Sequence, residues 1–261
     1  MKKLILVSSL FAVSLISACG GSDSGDTTPQ AATSYKFGEY FPLEVPASAS
    51  SCTVTKEVVA GTGVGTTATY AFDSNMETID YLSGSLSGTV VTDDGGNSIV
   101  YYNDGATMKI LRYQDSILST DCSLSAHPDA FSFGPISDGM IKSISNFSTV
   151  SKSNPVDCVS VPNATDLGNK ALYRIVDVTV RNTNFKNAII EYWLDLDIPW
   201  VPLQYTGNYG IPLPSSSETQ GNSITDISIY AFGEGEVAHL GVDASTGNIN
   251  ETVERTGFAC Q

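Results

Sequence analysis

Short runs of β-branched and aromatic residues, separated by glycine, asparagine and aspartate clusters, recur along most of this chain. Cys52-Thr-Val-Thr-Lys-Glu-Val58-Val59 leads into Gly61-Thr-Gly63-Val-Gly65 and then Thr66 to Phe72, a pattern that predicts a hairpin. Thr89 to Thr92, Ser98 to Tyr102 and Thr107 to Tyr113 follow, with Asp93-Asp94-Gly95-Gly96-Asn97 and Asn103-Asp104-Gly105 as the turns between them. Turn-forming residues between short strand runs describe a meander. Strand runs resume at Ala171 to Val180, Ala188 to Leu196, Ile224 to Phe232 and Glu236 to Val242. Asn182-Thr-Asn184 and Ala244-Ser-Thr-Gly247-Asn248 supply turns, and a proline-marked loop from Ile198 to Ser217 separates two of the strands.

Two stretches read as helix instead. Ile136, Met140, Ile141, Ile144 and Phe147 recur at helical spacing, so Ser137 to Phe147 is expected to be helical, with Ser137 or Asp138 as N-cap. Ser74 to Leu82 is expected to form one more short helix. There is no fixed-period repeat, which disfavours solenoids and propellers. The expected class is mainly β, antiparallel, with one or two short helices.

The N-terminus has a different pattern. Lys2 and Lys3 precede an apolar run from Leu4 to Ile16, broken only by serines. At about 13 residues it is too short for a permanent span, which needs ~20, and it fits the apolar region of a secretory signal. Ile16-Ser17-Ala18-Cys19 resembles the lipobox of bacterial lipoproteins, a branched apolar residue and two small ones before a cysteine. The resemblance implies that residues 1–18 are a cleaved signal and that Cys19 is the site of lipid attachment. Two or more acyl chains hold a protein stably on a membrane, where one does so only marginally. Gly20 follows the cysteine, where an aspartate would resemble the inner-membrane retention signal; this favours the outer membrane. Gly20 to Ser34, Gly/Ser/Asp/Thr with almost nothing apolar, reads as a flexible tether with a reach of roughly 20–25 Å. Residues 35–261 are then expected to form one β-rich domain. Whether it faces the periplasm or the cell exterior stays open.

Charge narrows the partners. The 261 residues carry 28 Asp and Glu against 13 Lys and Arg, a formal net charge of −15. Loss of Lys2 and Lys3 with the signal would take this to about −17. Binding to nucleic acid or to anionic lipid through basic residues needs clustered Lys and Arg, so both are disfavoured. The membrane is an expected partner only through acylated Cys19. Hydrophobic residues make up 41 % of the chain, enough to exclude an acidic disordered tail.

Four cysteines follow the tether: Cys52, Cys122, Cys158 and Cys260. An even number in an exported chain predicts two disulfides, and of three connectivities the expected one is Cys52–Cys122 with Cys158–Cys260. No CxxC pair is present, which argues against redox and zinc roles. Gly61-Thr-Gly63-Val-Gly65 has its third glycine misplaced and precedes a strand, so it reads as a turn and not a dinucleotide loop. Gly84-Ser85-Leu86-Ser87-Gly88 places Leu86 where a nucleophile elbow needs serine. A Ser/His/Asp triad would have to use His127, which reads as a loop residue, or His239, on a strand near Glu234 and Glu236. No catalytic residue and no cofactor is assigned. Asp195 and Asp197, like Glu234 and Glu236, would share a strand face. Two carboxylates are only a fragment of a calcium site, and solvated strand faces are the commoner outcome. The segment Glu191 to Tyr205 holds Tyr192, Trp193, Trp200 and Tyr205, either as core packing at a strand end or as a groove for an acyl chain, glycan or peptide.

Tyr192-Trp193-Leu194-Asp195, followed by a proline-marked turn and Pro202-Leu203-Gln204-Tyr205, is similar to a strand pair in the periplasmic lipoprotein-carrier (Lol-like) superfamily. Ile99 to Ile110 resembles an earlier hairpin of that fold. The resemblance implies a curved antiparallel sheet or half-barrel, partly covered by helices, with a cavity for acyl chains. The chain departs from that pattern in its predicted disulfides and in its long Pro/Ser loop after Trp200, and no binding residue is carried over. Three functions are compatible with these features. The first is an outer-membrane-anchored, non-catalytic lipoprotein that binds an apolar or lipidic ligand or assists envelope assembly. The second is a surface-exposed adhesion or ligand-binding module. The third is a glycan-active enzyme using Asp195 or Glu234. A lipid, a glycan or an envelope protein is accordingly the expected partner.

Overall fold

The computed structural model describes residues 34–41, 43–81, 84–96, 98–112, 132–143, 149–150 and 170–261. All belong to the compact unit Ala32–Gln261. The architecture is mainly β. Among the described residues, one 3-10 turn, Phe37–Tyr40, precedes thirteen strands: β1 Ser51–Gly61, β2 Thr67–Tyr81, β3 Gly84–Asp93, β4 Ser98–Asn103, β5 Met108–Arg112, β6 Ser132–Phe133, β7 Ile141–Ser143, β8 Thr149–Val150, β9 Lys170–Val180, β10 Thr183–Pro199, β11 Asn222–Ala231, β12 Gly235–Asp243 and β13 Asn248–Cys260. They form one sheet in the order β6-β5-β4-β3-β2-β1-β13-β12-β11-β10-β9-β7, with β8 on β2, and the sheet does not close. Each strand pair is antiparallel. Among the described residues no helix is long and apolar enough to cross a membrane.

The turns form where the sequence demands special backbone geometry. Arg181 and Asn182 both have positive φ, 48° and 66°, and join β9 to β10 as a tight two-residue connection. Gly63 and Gly65 sit at +85° and +86° in the turn between β1 and β2. The strands flanking these turns include the expected runs at β1, β9 and β10, whereas the sequence predicts no strand at β13, which carries no clear apolar alternation and is held by long-range pairing with β1 and β12.

In their described parts, the two predicted helices are strand and turn. Ser74 to Tyr81 continues β2, with a register shift between Phe72 and Met76 where the Asn75 backbone N–H donates to Asp73 Oδ1 at 2.7 Å. At Ser137, the chain makes a turn through Asp138 and Gly139, whose φ of +74° does not continue a right-handed helix. The Gly139 N–H then donates to Tyr173 O and the Tyr173 N–H to Met140 O, so pairing with β9 captures this backbone and β7 follows. Leu82 and residues 144–147, the ends of those two helices, lie outside the described residues.

The disulfide pairing also differs from expectation. Cys52 bonds to Cys260, its register partner across β1 and β13. Both expected pairings are thereby excluded. Cys122 and Cys158 lie outside the described residues, as do Cys19, the tether up to residue 33 and His127.

Two apolar layers sandwich the second half of the sheet. On one face, Leu172, Tyr192, Leu194, Ile227, Ile229 and Leu240 pack beneath Leu203 and Ile211, which residues 200–221 lay across them. Gly247 permits this docking: its φ is +74°, and a Cβ there would fall 2.1 Å from Pro202 O. On the other face, Tyr173, Ile189 and Tyr230 pack with Phe37, Tyr40, Ile136 and Met108. This layer combines residues of β5, β9, β10 and β11, well separated in the strand order. A third cluster, Leu43, Cys52, Phe72 and Val91, covers the first half of the sheet.

Candidate functional site

The 3-10 turn bridges the two halves of the sheet and shapes the space between them. Asn103 Nδ2, at the end of β4, donates to Gly38 O at 2.9 Å and to Phe41 O at 2.7 Å. From the other side, Tyr40 Oη donates to Asn187 O at 2.7 Å and the Gly233 N–H donates to Glu39 O at 3.0 Å. Gly38 is required at this approach, because a Cβ would sit 2.3 Å from Asn103 Oδ1.

Against this turn lies a cleft of about 240 Å³, walled by Phe41, Leu43, Val54, Phe72, Val91 and Tyr101. Its polar end is an ion pair between Lys56 and Glu236, with Lys56 Nζ 5.4 Å from the centre of the Tyr70 ring. A second, more open basin of about 620 Å³ shares Phe41, Leu43 and Tyr101 with the cleft and extends to Met76, Phe232 and Asp104. Met76 and Phe232 are each more than 60 % exposed, unusual for large apolar side chains.

A polar row crosses the sheet behind the cleft. Tyr173, Glu191, Ser228 and His239 are successive register partners on β9, β10, β11 and β12. Glu191 is fully buried. Tyr173 Oη donates to its Oε1 at 2.7 Å, and Tyr230 Oη donates to its Oε2 at 3.3 Å. Burial pushes the Glu191 carboxyl up to about 7, against the opposing pull of hydrogen bonds from Tyr173, Trp193 and Tyr230. Burial and the neighbouring Glu191 push both tyrosines well above the ordinary phenol range.

Ser228, His239 and Asp226 stand together, but a second carboxylate, Glu236, shares the ring nitrogen that faces Ser228. Ser228 Oγ lies 3.2 Å from His239 Nδ1, and Asp226 Oδ1 lies 3.4 Å from Nε2. Glu236 Oε1 also approaches Nδ1, at 3.5 Å. Burial would lower the imidazole, but hydrogen bonds to Asp226 and Glu236 outweigh it and raise it to about 10. A value so raised favours the imidazolium, which donates to the carboxylates and is a poor base toward Ser228. Burial opposes ionisation of Glu236, yet Lys56 and His239 hold its carboxyl well below the usual range. These groups form a satisfied charge network beside the cleft.

The structure separates the four predicted groove aromatics. Tyr192 is buried in the layer under residues 200–221 and donates to Pro212 O at 2.6 Å. Trp193, next along the strand, packs on the opposite face with Tyr173 and Tyr230. Trp200 is half-buried, its backbone N–H donating to Gly221 O at 2.9 Å. Tyr205 stacks on Tyr209, with ring centres 6.2 Å apart. They do not line one surface. Asp195 accepts the Asp197 backbone N–H at 2.8 Å, a local turn contact. Among the described residues no three His, Cys, Asp or Glu side chains form a group able to hold a metal ion. Glu234 pairs with Arg255, away from His239, while Glu236 reaches it.

Neither Glu191 nor the Lys56–Glu236 pair stands out as a site from the sequence. Glu191 had one visible cue, a lone charge in the apolar run Ala188-Ile-Ile-Glu-Tyr-Trp-Leu194. Lys56 and Glu236 are 180 residues apart and had none. No family model matches the chain, and neither a curated protein nor a solved structure matches it.

Proposed function

We propose that this protein is an outer-membrane-anchored envelope lipoprotein, non-catalytic, whose half-barrel sheet binds an apolar or lipidic ligand. The observation that carries the reading is the apolar cleft beside the 3-10 turn, continuous in its walls with an open basin that exposes Met76 and Phe232. Small-molecule sites are typically concave and apolar with few polar groups, and this cleft has one polar end. A sheet curved around the Phe37–Tyr40 turn accounts for a core layer drawn from β5 as well as β9 to β11. Ile16-Ser17-Ala18-Cys19 supports the anchor, since the chain's acidity opposes attachment by charge.

The apolar fluorophore N-phenylnaphthylamine tests the binding reading on the full chain. Saturable binding at one site is expected, and Val54→Trp, which fills the cleft from its partly buried wall, should abolish it. Absence of saturable binding to the wild-type chain would overturn the proposal. The anchor is tested separately: Cys19→Ser should abolish incorporation of a fatty-acid probe in cells, and continued labelling would refute it.

A further inference from the structure

Resting on the ligand-binding reading above, we propose that the open basin selects the headgroup of the ligand and that this headgroup is cationic. The basin and the cleft meet at Phe41, Leu43 and Tyr101, so an amphiphile with its tail in the cleft would present its polar end to the basin. Glu39, Glu44 and Asp104 line the basin, and among its described lining residues there is no lysine or arginine. Lys36 partly offsets one of these carboxylates, standing 3.3 Å from Glu39 in an exposed pair. Asp104 is held in place by the backbone N–H groups of Ala106 and Thr107, at 3.0 and 2.8 Å.

Aromatic rings complete the chemistry. Phe41, Tyr101, Tyr102 and Phe232 line the same basin, and Phe232 is 61 % exposed. Ring faces attract ammonium groups, most strongly quaternary ones that carry no tightly held water. Among the described residues lining the cleft the one cation is Lys56, which is committed to Glu236 and to the Tyr70 ring, so it offers little counter-charge to a carboxylate or sulfate. Charge complementarity therefore favours a single-chain amphiphile with an ammonium head over a fatty acid of the same length. The net charge of −15 acts in the same direction at longer range.

Isothermal titration of the full chain with decyltrimethylammonium, decyl sulfate and decyl maltoside, each below its micelle concentration, tests the assignment. One decyltrimethylammonium per chain should bind roughly ten-fold tighter than decyl sulfate. Added salt should weaken the cation and leave the maltoside unchanged. Glu39→Gln with Glu44→Gln should weaken the cation several-fold without moving the maltoside. Decyl sulfate binding as tightly as the cation would overturn the headgroup assignment, as would an unchanged cation affinity in the double variant. Maltoside binding alone would leave the ligand-binding reading standing while removing this one. Failure of all three to bind saturably would remove both. The headgroup comparison on the wild-type chain needs no variant to fold.

Discussion

Glu191 holds its carboxyl at the centre of the sheet, fully buried and bonded to two tyrosine hydroxyls. Its folded value of about 7 lies above the ordinary 4.5, so the folded state retains a proton that the unfolded chain releases. Its contribution is complete at low pH and is lost as pH rises from about 4.5 through 7, amounting to at most about 3 kcal/mol. Glu191→Gln should flatten the fall in thermal stability between pH 5 and 7.5; an unchanged slope would contradict the buried, protonated state. His239 is shifted upward for a different reason, its two carboxylate partners, and the sign of its linkage follows the same rule. Its contribution is complete below pH 6.5 and declines as pH rises through about 10, so His239→Gln should flatten the slope above pH 7 and leave the lower limb in place. Glu191 was partly legible in the sequence as a charge among apolar neighbours. Its partners were not, because Tyr173 and Tyr230 reach it only through strand register.

The 3-10 turn is the element on which the cleft depends. Asn103→Ala removes three hydrogen bonds, two donated to Gly38 O and Phe41 O and one accepted from the Gly105 N–H, and leaves those backbone groups to find other partners. A loss of about 1–3 kcal/mol is expected, read by denaturant unfolding, together with weaker binding of an apolar fluorophore. Stability lost with binding intact would mean that the turn does not shape the site. Local geometry explains which elements were readable. Hairpin turns require positive φ, and Gly63, Gly65 and Asn182 advertise it. The apolar spacing from Ile136 to Met140 and Ile141 was misleading because these side chains serve two layers, Ile136 and Met140 one and Ile141 the other. A turn that switches faces imitates helical periodicity. The strand β13 was silent in the sequence, since Glu251, Glu254 and Arg255 interrupt its apolar pattern and its pairing partners lie far away.

At the scale of the molecule, β1 and β13 form the seam between the first and second halves of the sheet, and Cys52–Cys260 staples it. The bond spans a sequence separation of 208 residues, for which the chain-entropy account gives about 5 kcal/mol as an upper value. Reduction, or Cys52→Ala with Cys260→Ala, should lower the unfolding free energy toward that limit and free the C-terminal strand for amide exchange. Unchanged exchange along β13 would show that pairing alone holds the seam. The cysteine pairing could not be read from the sequence because it depends on this long-range register. The opposite held for the N-terminus, where the lipobox resemblance is carried by four adjacent residues.

Native mass spectrometry of the full chain, purified from envelopes in mild detergent, tests whether the cleft holds a lipid. A retained adduct of lipid-like mass, beyond the acyl groups expected at Cys19, should be present and should disappear in Val54→Trp. A chain that repeatedly carries its covalent mass alone would contradict it.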